Sequence, residues 1–232
     1  MAREHAHSRD DHDRDPHAPV DESHGVRADS ALLERALREL LIEKNVFAAA
    51  DIQRQIELTE SRTPELGARV VAHAWADPGY KTWLIKEPKA AIESFLGIDL
   101  NLTPELVVVE NTPKLHHVIC CTLCSCYPRA VLGIPPAWYK SPEYRSRTVI
   151  EPRAVLAEFG TRLPDDVEIR VVDSTADVRY MVLPLRPRGT ERMSERELAG
   201  IVTRDSMIGV AVPGAPRRQT KVSTTKDAGL PT

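Results

Sequence analysis

The chain has 232 residues, a formal net charge of -3, 28% charged residues and 42% hydrophobic ones. That balance suits a soluble globular protein built as one large domain, or one domain with an extension, and gives no reason to expect nucleic acid as a partner. No apolar run approaches the ~20 residues that a bilayer span needs, and the polar start "MAREHAHSRDDHDRDPH" holds no secretory apolar region, so a cytoplasmic protein without membrane contact is expected.

Residues 1–28 are rich in His, Asp, Arg and Pro and nearly free of large apolar side chains. Such a segment buries too little surface to offset its ordering entropy, so a disordered tail is expected. It carries His5, His7, His12, His17 and His24. A solvated tail is the plain reading of these, and weak metal capture the sharper one.

Residues 29–104 read as a helical arm. Asp29 or Ser30 can cap a first helix that puts Leu33, Ala36, Leu37, Leu40 and Leu41 on one face. "AADIQRQIELTES" supplies a second. "TPELGARVVAHAW" opens with Thr63 as cap and Pro64 at the first helical position, and "DPGYKTWLIKEP" repeats the device with Asp77 and Pro78. "KAAIESFLGID" stops at Gly97. Trp75 and Trp83 suit core or interface packing.

Residues 105–213 mix strands with helices. "LVVVEN", "HHVICC", "VEIRVVD" and "VRYMVLPL" read as strands. Between the two pairs lie "SPEYRSR" and "EPRAVLAEFG", helices that open with Pro, the second ending in Gly160. "SEREL" from Ser194 is a capping box. Residues 214–232 look like a loose tail. The fold class is therefore α+β: a helical arm, then a layered α/β domain.

All four cysteines fall within "CCTLCSC", Cys120 to Cys126. Thiols in a cytoplasmic protein normally stay reduced. A zinc ribbon needs a second, separated pair of ligands, and none exists. His116 and His117 precede the run but point to opposite faces of a strand, so at most one could help. A thioredoxin-type pair, Cys121 and Cys124, would not have a third Cys two residues on. An iron–sulfur site would need a distant fourth cysteine. The spacing C-x-x-C-S-C suits one ion held differently. Cys124, Cys126 and the main-chain nitrogens of Ser125 and Cys126 would form a plane. Cys121 would take an axial position and leave the sixth site open. Main-chain amides lose a proton only to a strong Lewis acid, so the ion would be trivalent cobalt or iron.

"CTLCSCY", Cys121 to Tyr127, resembles the metal loop of nitrile hydratase α subunits. "LGARVVAHAWADPGYK", "VLGIPPAWYKSPEYRSR", "EPRAVLAEFG", "RYMVLPLRPRGT" and "VTRDSMIGVAVP" resemble that family's blocks too, from about residue 31 to 213. The resemblance implies sulfur ligation by Cys121, Cys124 and Cys126, and main-chain ligation by Ser125 and Cys126. It implies a sulfinic acid at Cys124 and a sulfenic acid at Cys126, both catalytic. Thr122 stands where cobalt-type members have Thr and iron-type members Ser. One non-corrin Co(III) per chain is thus expected, ahead of Fe(III). Cys120 is outside the ligand set and suits a small buried apolar role. The resemblance also implies a β-type partner subunit whose arginines hold the oxidised cysteines, and hydration of a nitrile to the amide.

Two positions depart from the family pattern. Arg129 stands where nitrile hydratases have a Trp lining the substrate pocket, and Met193 where another Trp is usual. Thiocyanate hydrolase γ subunits, close relatives with the same metal loop, have Arg at the first position and a similar His/Asp-rich start. Against that reading, "LGIDLNLTPELVVVENTPKLHH" lacks the longer insertion expected there. Nitrile hydration is the favoured reading and thiocyanate hydrolysis to carbonyl sulfide and ammonia the alternative. A metal-trafficking protein is a third. Arg129 suits either a place in the pocket or an intersubunit salt bridge.

Overall fold

The computed structural model describes residues 28–214. The two expected tails therefore lie outside the described residues, apart from residues 28 and 214. Two helices come first, α1 (Ala28–Glu43) and α2 (Ala49–Glu60). The first begins at Ala28, one residue before the earlier of the two expected caps. Its apolar face finds no cover among the described residues: Leu33 is 69% and Leu37 54% exposed. No residue of α2 is buried.

Three proline-led helices follow: α3 (Pro64–Ala76), α4 (Pro78–Lys86) and α5 (Pro88–Leu96). Proline suits the first helical position because its missing N–H has no partner to lose there. Asp77 ends α3 and caps α4, its Oδ1 accepting from the Gly79 and Tyr80 amides at 2.7 and 3.0 Å. Thr63 precedes α3 in an extended conformation, but its side chain makes no cap bond. Gly97 closes α5 in the left-handed region at φ 67°, where a side chain would be strained. These helices bury Val70, Val71, Leu84 and Ile92 completely. Trp75 joins their packing, and its Nε1 donates to the Pro184 carbonyl at 2.8 Å.

The strands are β1 (Glu105–Glu110), β2 (Leu115–Cys120), β3 (Glu168–Asp173) and β4 (Val178–Leu183). They do not pair in sequence order. β1 pairs with β4 and β2 with β3, both in parallel. Parallel pairs need a long crossover, and here it holds α6 (Arg129–Leu132), a 3-10 turn (Ala137–Lys140), α7 (Pro142–Ile150) and α8 (Pro152–Glu158). Two short helices end the described chain, α9 (Glu195–Ala199) and α10 (Arg204–Ile208). The α9 start is a full capping box between Ser194 and Glu197. Buried residues of α3–α5, the strands, the crossover and α10 form one hydrophobic cluster. The loop carrying the cysteines leaves that cluster where β2 ends.

Candidate metal centre

Cys120 is the last residue of β2 and pairs with Asp173, the last residue of β3. The next eight residues leave the sheet and re-enter regular structure at α6. Within that loop the sulfurs of Cys121, Cys124 and Cys126 all lie within 4.8 Å of one another. Cys121 to Cys124 is 3.7 Å and Cys124 to Cys126 is 3.3 Å. With bonds of about 2.3 Å to one ion, sulfurs lie about 3.3 Å apart at 90° and about 3.8 Å apart at a tetrahedral angle. The cluster therefore has room for a single ion between its sulfurs. The main-chain N–H groups of Ser125 and Cys126 face the Cys124 sulfur, so the nitrogens expected as ligands lie on the same side as the thiols. The residues present fit a thiolate-and-amide metal site. Cys121 is buried and Cys124 exposed, which leaves one side of the cluster open.

Four contacts fix the loop. Asp173 accepts from the Thr122 amide at 3.0 Å and from its hydroxyl at 2.6 Å. Arg145 of α7 donates to the Cys124 carbonyl at 3.1 Å. Tyr139 donates to the Cys126 carbonyl at 2.8 Å. Tyr144 donates to the Ile119 carbonyl at 2.7 Å, just before the loop. Tyr139 and Tyr144 are themselves buried and pack on Trp138, so the anchors are rigid. These partners orient ligands rather than bind metal, which is the usual work of groups around a metal site.

The electrostatics differ sharply from thiol to thiol. Hydrogen bonds from Cys126 and Cys121 hold the Cys124 thiol below the ordinary range, and the two amides add to this. Burial pushes Cys126 up to about 12, and its bond to Cys124 reinforces the shift. Of the pair, Cys124 is the thiol held toward its ionised form. Burial likewise pushes Cys120 up to about 12. That thiol is fully buried in the hydrophobic cluster.

Neither histidine of β2 reaches the sulfurs. His116 Nε2 donates to the Gly209 carbonyl at 2.7 Å, and its Nδ1 accepts from Asn111 Nδ2 at 3.1 Å. A carbonyl can only accept, so the network itself selects the Nε2–H tautomer. The Asn111 Oδ1 then takes the His117 amide at 2.7 Å and the His117 Nδ1–H at 3.2 Å. Gly209 is required at this contact: its φ is 95°, and a Cβ there would stand 2.0 Å from the His117 carbonyl oxygen. Among the described residues, the three loop cysteines are the sole cluster of metal-binding side chains.

Arg129 starts α6, is exposed, and lines a cavity of about 790 Å³. Its backbone N–H donates to the Tyr127 carbonyl at 2.8 Å, while its side chain forms no hydrogen bond or ion pair with the described residues. Arg179 was not anticipated from sequence, yet its charge acts on Cys126. Asp173, Tyr139, Tyr144 and Arg145 were not anticipated either. Only Asp173 carried a signal: it is an acid closing the strand "VEIRVVD", at the end of a sheet where loops hold function.

A family model described as "Nitrile hydratase, alpha chain" matches residues 28–211. The low-molecular weight cobalt-containing nitrile hydratase subunit alpha of Rhodococcus rhodochrous is 47% identical, over 79% of this chain and 89% of that one. A recombinant thiocyanate hydrolase with partially modified cobalt centers superposes with TM-score 0.76 at 46% identity, covering 82% of this chain and 92% of the other. A double mutant of the Fe-type nitrile hydratase of Comamonas testosteroni Ni1 superposes with TM-score 0.72 at 46% identity, covering 81% and 93%. With a match across the sheet, the crossover and the cysteine loop alike, the chain belongs to the nitrile hydratase α-chain family.

Proposed function

We propose that this chain is the metal-binding catalytic subunit of a cobalt-type nitrile hydratase. The observation that carries the reading is the sulfur trio of Cys121, Cys124 and Cys126, with two amide nitrogens turned toward it. A trivalent ion bound there supplies Lewis-acid chemistry that makes a nitrile carbon electrophilic or a water acidic. The assignment to cobalt rests on Thr122 and on cobalt-containing relatives. Cys121 supplies the buried thiolate. Cys124 and Cys126 work as sulfinate and sulfenate, and the Cys126 oxygen orients water and takes its proton. Water adds across the C≡N bond and yields the amide.

Two added oxyanions need cationic donors. Among the described residues Arg145 and Arg179 lie near, and arginines of a β-type subunit complete the set in this reading. The surface around the loop supports such a cover. Leu123 is 82% and Ile150 79% exposed, and apolar groups rimming a site mark an interface. Among the described residues no helix is long and apolar enough to cross a membrane. That is compatible with the cytoplasmic location we infer.

Thiocyanate hydrolysis is the second reading, and Arg129 favours it. A guanidinium stays charged at any working pH, and it suits the thiocyanate anion. Co-purifying the chain with its β-type partner and assaying nitriles and thiocyanate side by side tests both. Amide formation from nitriles supports the first reading; release of carbonyl sulfide and ammonia from thiocyanate alone replaces it with the second.

A further inference from the structure

We propose that the cavity between α2, the start of α3 and α6 is a subsite for the carboxylate of an elongated apolar molecule, held by Arg62 and Arg129. Its volume of about 790 Å³ is in the range of pockets that enclose an organic ligand. Leu58, Leu66, Ile98 and Leu102 form apolar walls. Leu102 is 100% exposed, a large side chain with no cover among the described residues. Two guanidiniums and a single acid, Asp99, supply the charge.

Arg62 gives the specific argument. Its Nη2 makes a long 3.3 Å bond to the Asp99 carbonyl. Its Nη1 is buried and has no partner. A buried guanidinium donor without an acceptor is costly, and a carboxylate oxygen offers the strongest neutral-pH partner. Arg129 lines the same cavity and offers a second cationic donor. The apolar walls suit the rest of the molecule.

The cavity also leads somewhere. Arg129, Ala130 and Thr103 are shared with a smaller cavity of about 160 Å³ that reaches Tyr127 and Arg179. Arg179 is the residue whose charge acts on Cys126. A molecule anchored by its carboxylate thus has beside it a second cavity that reaches Tyr127, the chain neighbour of Cys126. Resting on the nitrile-hydrating reading, this names the substrate class: a nitrile with a remote carboxylate.

The test uses the metal-loaded heteromer with its β-type subunit. Calorimetry measures binding of phenylacetate and of its uncharged counterpart 2-phenylethanol. Phenylacetate should bind measurably more tightly. Arg62→Met should weaken it about tenfold or more, and Arg62→Lys should lose less because it keeps a point charge. The kcat/KM ratio for a carboxylate-bearing nitrile over its methyl ester should fall with Arg62→Met. Equal affinity of wild type and Arg62→Met for phenylacetate, with both folded by circular dichroism, overturns the subsite; so does equal binding of the alcohol. If Arg62→Met does not fold, Arg129→Gln decides by the same comparison. Binding that depends on Arg62 without any nitrile turnover sinks the nitrile reading and leaves the subsite standing.

Discussion

Asp173 grips Thr122 with both carboxylate oxygens, one on the main-chain N–H at 3.0 Å and one on the hydroxyl at 2.6 Å. The acid ends β3 and the threonine sits between Cys121 and Cys124, the first two cysteines of the cluster. One side chain thereby ties the loop to the sheet. Asp173→Asn keeps the shape and loses the charge. A bond to a partly exposed carboxylate is worth about 1–2 kcal/mol, so metal retention under chelator challenge should fall five- to thirtyfold. Thr122→Val removes only the hydroxyl arm and should cost less. Equal retention in all three proteins would show that the loop holds its shape without this contact.

Elemental analysis of active protein should find about one cobalt per copy of this chain. The expectation follows from the sulfur spacing and from Thr122. Dominant iron would overturn the argument from Thr122. Dominant zinc would overturn the thiolate-and-amide site itself.

Mass spectrometry of a fragment spanning Cys120 to Tyr127 should show added oxygens on Cys124 and Cys126 and none on Cys121. Cys124 is exposed and its thiolate is favoured, whereas Cys121 is buried; burial disfavours the Cys126 thiolate, so oxygen there is expected from the family resemblance alone. Oxidation follows thiolate character and access. Alanine at any of the three should remove metal and activity together. Full cobalt in Cys121→Ala would disprove the ligand role proposed for it.

Arg129 should decide which substrates are accepted. A lost charge-assisted bond is worth about 1.5–3 kcal/mol, or roughly ten- to a hundredfold in kcat/KM. Arg129→Trp should cost a polar or anionic substrate that factor, favour small apolar nitriles, and leave cobalt content unchanged. An unaltered order of substrates would instead assign Arg129 to an intersubunit salt bridge.

His116 should make stability depend on pH. Burial lowers its pKa below the ordinary 6.5, opposed only by the bond to Gly209. The unfolded chain then binds the proton more readily than the folded one, so stability rises with pH. The contribution is complete above about 6.5 and is lost as pH falls below it. Urea midpoints measured between pH 5 and 7 should climb with pH. In His116→Gln the slope should flatten, although the variant is less stable throughout. An unchanged slope would place the pH dependence in another group.

Much of the helical layout was legible because its signals are local. Proline after Asp77 and glycine at 97 act within a turn of the chain, and the structure places helix boundaries there. The four strands were legible from β-branched runs for the same reason. The apolar periodicity of α1 was equally clear, but periodicity does not say what covers a face. Leu33 and Leu37 are exposed in this chain.

The sequence by itself determined which groups can make up the proposed site, because the three clustered cysteines and both proposed amide ligands lie within six consecutive residues. Chain connectivity alone keeps them together. Only the tertiary structure decided what surrounds that loop. The parallel pairing of β2 with β3 brings Asp173 beside Thr122 across 51 positions, and the crossover carries Tyr139 and Arg145 to its carbonyls. Register and crossover path depend on which hydrophobic faces bury one another, a property of the whole chain. The same packing brings Arg62 and Arg129 into the lining of one cavity, though they are far apart in sequence.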